Sequence, residues 1–177
     1  LRMSDTDQGR LSYITSPNRN IATNDLPSWM YPHGTYSMMS YNKAAAWLHT
    51  LEGIIGSETM DNVFREYYRR WAFRHPSGKD FIAVVNDVVK NRHGDRFGEN
   101  MNWFFDQTLY GTGICDYKVI GFSNRKYWKP EGKTDTADAI ANEWPDTDSL
   151  YTSVAMLERT GDVILPVDVL IHFTNGD

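Results

Sequence analysis

Apolar residues first fall into a regular pattern between Tyr41 and Ile55. There Ala44, Leu48, Leu51 and Ile55 recur at i, i+4, i+7 and i+11 and share one face of a helix. Gly56 follows where a helix C-terminus turns into positive φ. Ser57 can cap a second helix, with Glu58 and Asp61 in its first turn to complement the dipole and Met60, Val63, Phe64, Tyr67 and Trp71 as its apolar stripe. Arg65, Arg69 and Arg70 fall on the other face, and Pro76 stops the helix. Ser77 and Asp80 form a capping-box-like start for a third helix, which buries Phe81, Val84, Val85, Val88 and Val89 and ends between Asn91 and Gly94. A fourth, short helix from about Glu99 to Leu109 carries Met101, Phe104 and Phe105 before Gly111 and Gly113 break it. Antiparallel helices with short links make an α-helical hairpin array.

On either side of these helices the pattern is different. Residues 1–40 are polar and irregular, punctuated by SPNRN, TNDLP and YPHG, so they predict a long loop with one short helix around Asp5 to Ile14. From Cys115 onward DYKVIGFS, SLYTSVAMLER and VILPVDVLIHF read as strands, the last two joined through Thr160, Gly161 and Asp162, with a polar insertion after the first. Pro166 puts its strand at an edge, a strand start or a bulge. The expected class is α+β: a helical part over residues 1–112, with 1–37 mostly loop, then an incomplete antiparallel β-sandwich over 113–177. The polar opening LRMSDTDQGR, and an Asn175-Gly176 turn with no strand after it, suggest a piece of a longer chain.

Composition narrows the possible partners. A chain of 177 residues can bury roughly 70% of its unfolded surface. Its formal charge of −5 lacks the basic excess that nucleic-acid or anionic-membrane binding requires. No apolar run reaches the ~18 residues of a spanning helix. Cys115 is the single cysteine, which excludes an internal disulfide and leaves the compartment open.

Candidate chemistry is sparse. His33, His49, His75, His93 and His172 lack the spacing of a zinc-binding helix, so no metal site is expected. REYYRRWAFRH mixes arginine with aromatics, but helical spacing separates them into a buried stripe and a solvated basic face. Gly111-Thr-Gly113 is too short for a phosphate-binding fingerprint, and Cys115 has no histidine nearby in sequence. Tyr36 and Tyr41 flank the start of the first strong helix, and a tyrosine there is ordinarily a packing residue with a wet hydroxyl.

The order of motifs adds to that reading. SYNKAAAW at a helix start is followed by LEGIIG, FREYYRRWAF, PSGKDF and WFFDQTLYGTG, and then by ERTGDVILPVDVLIHF. From about residue 36 this succession resembles the zinc aminopeptidases of the aminopeptidase N type, members of the gluzincin metallopeptidase family. The resemblance implies the later half of a thermolysin-like catalytic domain followed by the opening of a β-sandwich domain. It also implies that Tyr41, at the family's Tyr-x-Lys position, donates a phenolic hydrogen bond to the oxyanion of the tetrahedral intermediate. Tyr36 matches a second tyrosine near the site in some members, a weaker carry-over. Asn42 stands where the family often has Glu, and Ala44 where it has Gly.

The family's H-E-x-x-H, its third zinc ligand and its G-x-M-E-N signature precede that tyrosine. Ahead of Tyr41 this chain has none of them, and its acidic residues there are Asp5, Asp7 and Asp25. The resemblance therefore implies zinc and a peptide substrate for a full-length parent. No zinc and no hydrolysis are expected of this piece alone. Self-association through surfaces exposed by truncation is expected as well. The alternative is a non-catalytic helical scaffold or adaptor derived from the peptidase fold.

Overall fold

A computed structural model describes residues 4–32, 34–126 and 151–172. The chain divides into two compact units, Leu1–Cys115 with Gly161–Asp177, and Asp116–Thr160. Among the described residues, five α-helices precede a two-stranded antiparallel hairpin, an α+β arrangement.

In the first unit α1 spans Asp5–Thr15, and the Ser4 hydroxyl caps it by accepting the Asp7 N–H at 3.1 Å. The predicted short helix is thus present, one residue longer at its C-terminal end. The next strong helix begins earlier than Tyr41. Residues 36 and 37 are already helical, Met38–Lys43 forms a π-helical turn, and α2 continues over Ala44–Ile55. Gly56, at φ +84°, ends α2 and occupies the N-cap position of α3, Ser57–Trp71. The cap expected at Ser57 therefore falls one residue earlier, because a left-handed turn that glycine tolerates lets one residue serve both helices. α4 spans Gly78–His93, and at its start the Asp80 carboxylate accepts the Ser77 N–H at 2.7 Å and the Ser77 hydroxyl at 2.6 Å. α5 is Asn102–Thr108, shorter than the pattern suggested.

These helices close around Leu51, Ile55, Met60, Val63, Val84, Val85, Val89, Met101, Phe104 and Phe105, all buried. Phe81 meets Tyr67 edge-on at 5.3 Å and Phe105 at 6.3 Å, an arrangement favoured by the ring quadrupoles. Several expected stripe members sit at the margin: Phe64 is exposed, and Tyr67, Trp71, Phe81 and Val88 are only partly buried. The arginines of α3 lie outside this core and are paired with carboxylates, as in Arg69 and Arg70 on Glu66 and Arg70 on Asp87. A smaller cluster of Tyr13, Ala22 and Met39 attaches the N-terminal segment.

In the second unit β1, Tyr117–Lys126, pairs antiparallel with β2, Tyr151–Arg159, with Tyr117 opposite Arg159 and a bulge between Val119 and Gly121. Two of the three expected strands are present among the described residues, and they pair with each other. The expected hairpin of SLYTSVAMLER with VILPVDVLIHF does not form, because residues 163–172 are not a strand. Instead Gln107 of α5 claims the backbone of Ile164: its Nε2 donates to the Ile164 carbonyl at 3.2 Å, and its Oε1 accepts the Ile164 N–H at 2.7 Å. The N–H groups of Asp162 and Val163 both donate to the Ile114 carbonyl, and Val163 is buried. These partners satisfy backbone groups that a strand would have paired in a ladder. Pro166 lies in this non-strand segment. The polar insertion from Lys129 and the Asn175-Gly176 turn fall outside the described residues.

Candidate active site

The two tyrosines singled out in the sequence come together at the start of the α2 helix. Tyr31, Tyr36 and Tyr41 form an edge-to-face series, with ring centroids 5.8 Å apart for the first pair and 6.4 Å for the second. The π-helical turn sets this geometry. The Ala44 N–H reaches back to the Met39 carbonyl, five residues earlier, and the wider turn changes the faces on which residues 38–43 project. Tyr41 is 64% exposed and Tyr36 45%, so both rings touch each other while reaching solvent. Tyr41 lines an open depression of about 420 Å³ together with Asp5, Gly9, Ser40 and Leu48.

Two residues beyond Tyr41 the side chain turns inward. Lys43 is 4% exposed, and its Nζ donates to the Gly111 carbonyl at 2.6 Å. Burial lowers its pKa to about 8, opposed by the negative charge of Asp25. The hydroxyl of nearby Tyr13 is buried without a partner among the described residues, and burial raises its pKa against the pull of Arg19. Tyr31, at the far end of the ring series, is also raised by burial and by Asp25, while a hydrogen bond with Ser40 opposes the shift.

Sequence reasoning missed Tyr31 and the inward turn of Lys43. A tyrosine five residues before Tyr36, repeating the spacing from Tyr36 to Tyr41, was the available signal for the first. For Lys43 no sequence signal was available, since a lysine at a helix start is ordinarily solvated.

Among the described residues no group of three or more histidine, cysteine, aspartate or glutamate side chains is placed to hold a metal ion. His93 Nε2 lies 2.9 Å from the Thr59 hydroxyl, and His49 Nδ1 lies 3.3 Å from Glu52. His75 and His172 are exposed, and His33 lies outside the described residues. No helix among the described residues is long and apolar enough to cross a membrane. Compared with known protein families, curated proteins and solved structures, the chain finds no match in any of the three.

Proposed function

We propose that this chain is part of a zinc aminopeptidase of the aminopeptidase N type, and that Tyr41 is its oxyanion donor. In this reading the helices are the later half of a thermolysin-like catalytic domain and the hairpin opens a β-sandwich domain. The parent removes N-terminal residues from peptides, and its zinc ligands belong to a part of the protein ahead of Tyr41. The reading rests on the order of sequence motifs. One structural observation supports it: Tyr41 is an exposed phenol whose ring is held edge-on by Tyr36.

The chemistry assigned to this chain is narrow. When water adds to the scissile carbonyl, negative charge develops on the carbonyl oxygen, and the Tyr41 O–H donates a hydrogen bond to it. A donor already in place needs no reorganisation as the charge develops, and such a donor contributes about 3 kcal/mol to the transition state. Tyr36 buttresses the ring. Lys43, bonded to Gly111 on the inward side, fixes the helical turn that carries Tyr41. Zinc supplies Lewis acidity when bound in the parent. Replacing Tyr41 with Phe in the zinc-loaded full-length enzyme tests the assignment through kcat.

The reading also includes self-association. Val119, Phe122 and Leu157 on one face of the hairpin are exposed, as are Val154 and Met156 on the other, and this apolar area suits a second copy of the chain.

A further inference from the structure

A second cavity, of about 410 Å³, lies in the helical unit and is separate from the tyrosine series. Its lining brings together Arg10 of α1, His49 of α2, Arg96 from the loop after α4, and Leu165 and Asp168 of the returning C-terminal segment. Two guanidiniums against one carboxylate leave this lining at +1 with His49 neutral, whereas the whole chain carries −5.

The state of the two arginines is informative. Arg65, Arg69, Arg70 and Arg92, on the α3 and α4 surface, each pair with a carboxylate. Arg10 and Arg96 make no ion pair among the described residues, although Asp168 lines the same cavity. Arg96 is nevertheless held, its guanidinium 5.4 Å from the centre of the Phe97 ring, which also lines the cavity. A ring face orients a guanidinium without using its N–H donors, so the fork stays available to an oxyanion. The Phe97 backbone carbonyl accepts the Trp103 indole N–H at 3.1 Å, and its ring meets the His93 ring edge-on at 5.3 Å.

We infer that this cavity binds a small organic oxyanion, a carboxylate or phosphate monoester attached to an apolar or aromatic group. Arg10 and Arg96 grip the anion, and Phe97 and Leu165 meet the apolar group, while His49 is engaged through Nδ1 with Glu52. The volume lies within the range of small-ligand sites. Asp168 opposes the anion and so limits its affinity. The assignment does not depend on the peptidase reading.

Isothermal titration of the whole chain with phenyl phosphate and with phenylacetate tests the inference, and benzyl alcohol serves as the uncharged control. Saturable binding of at least one anion is expected, weakened by added salt, with no binding of the alcohol. Arg10→Gln and Arg96→Gln should each weaken binding about tenfold or more, the size expected for losing a charge-assisted hydrogen bond. Asp168→Asn should tighten it, a gain that a misfolded variant would not give. The relative affinity of the two anions distinguishes a phosphate site from a carboxylate site. Absence of saturable binding for both anions overturns the inference. Affinity that survives both arginine changes, or that Asp168→Asn does not raise, also overturns it.

Discussion

Lys43 and Gly111, 68 residues apart in sequence, are joined by a hydrogen bond of 2.6 Å from the buried ammonium to the glycine carbonyl. This bond ties the π-helical turn bearing Tyr41 to the segment that follows α5. Its cost is the desolvation that lowers the Lys43 pKa to about 8 from the ordinary 10.5. Below pH 8 both folded and unfolded lysine are protonated, and the penalty is constant. Between pH 8 and 10.5 the unfolded chain binds more protons, so stability rises with pH through that window, by up to about 3 kcal/mol. The Tyr13 and Tyr31 phenols, raised by burial, have the opposite slope above their ordinary value of 10. Urea denaturation of wild type and Lys43→Met at matched pH isolates the lysine. The rise should be absent from the variant, and identical slopes would refute the assignment.

Glu66 gives the reverse behaviour in acid. Hydrogen bonds from Arg69 and Arg70 hold its pKa at about 2, against the ordinary 4.5. Its contribution is present above pH 4.5 and is lost as pH falls towards 2. Asp80, lowered by the Ser77 hydroxyl and N–H, acts in the same direction. Acid unfolding of Glu66→Gln should therefore show a shallower dependence on pH than wild type below pH 4.5, and superimposable curves would contradict this.

At the start of α4, Ser77→Ala removes the hydroxyl that donates to Asp80. The expected loss is about 1 kcal/mol, typical of an N-cap serine replaced by alanine. Chemical denaturation measures it. An unchanged midpoint would mean that the Ser77 hydroxyl contributes nothing to α4.

The hairpin leads to a prediction about assembly. Its exposed apolar residues should draw copies of the chain together, so sedimentation velocity should show a weight-average mass that rises with concentration. Met156→Lys with Phe122→Lys should reduce the association. A monomer at every concentration would exclude self-association.

The helices were legible in the sequence because each rule had a local cause. Leu51 and Ile55 repeat on one helical face, Ser77 and Asp80 form a local cap, and Gly56 supplies the positive φ that ends α2. The fate of residues 163–172 was not legible. Alternating apolar residues there match a strand, but Gln107 and Ile114 compete for their backbone from 57 and roughly 50 positions away. Tyr36 and Tyr41 were visible as candidates because they share a short stretch. The π-helical turn that sets their spacing was invisible, since a helical pattern carries no mark of a widened turn. Arg10, His49 and Arg96 come from separate elements, and no linear spacing announces such a group.

The central claim concerns the hydroxyl of Tyr41, and steady-state hydrolysis of an aminoacyl p-nitroanilide by the full-length zinc-loaded enzyme tests it most directly. For Tyr41→Phe the account predicts a fall in kcat of about a hundredfold or more, with KM and zinc content little changed. Turnover within a few-fold of wild type would contradict the assignment of Tyr41 as the oxyanion donor.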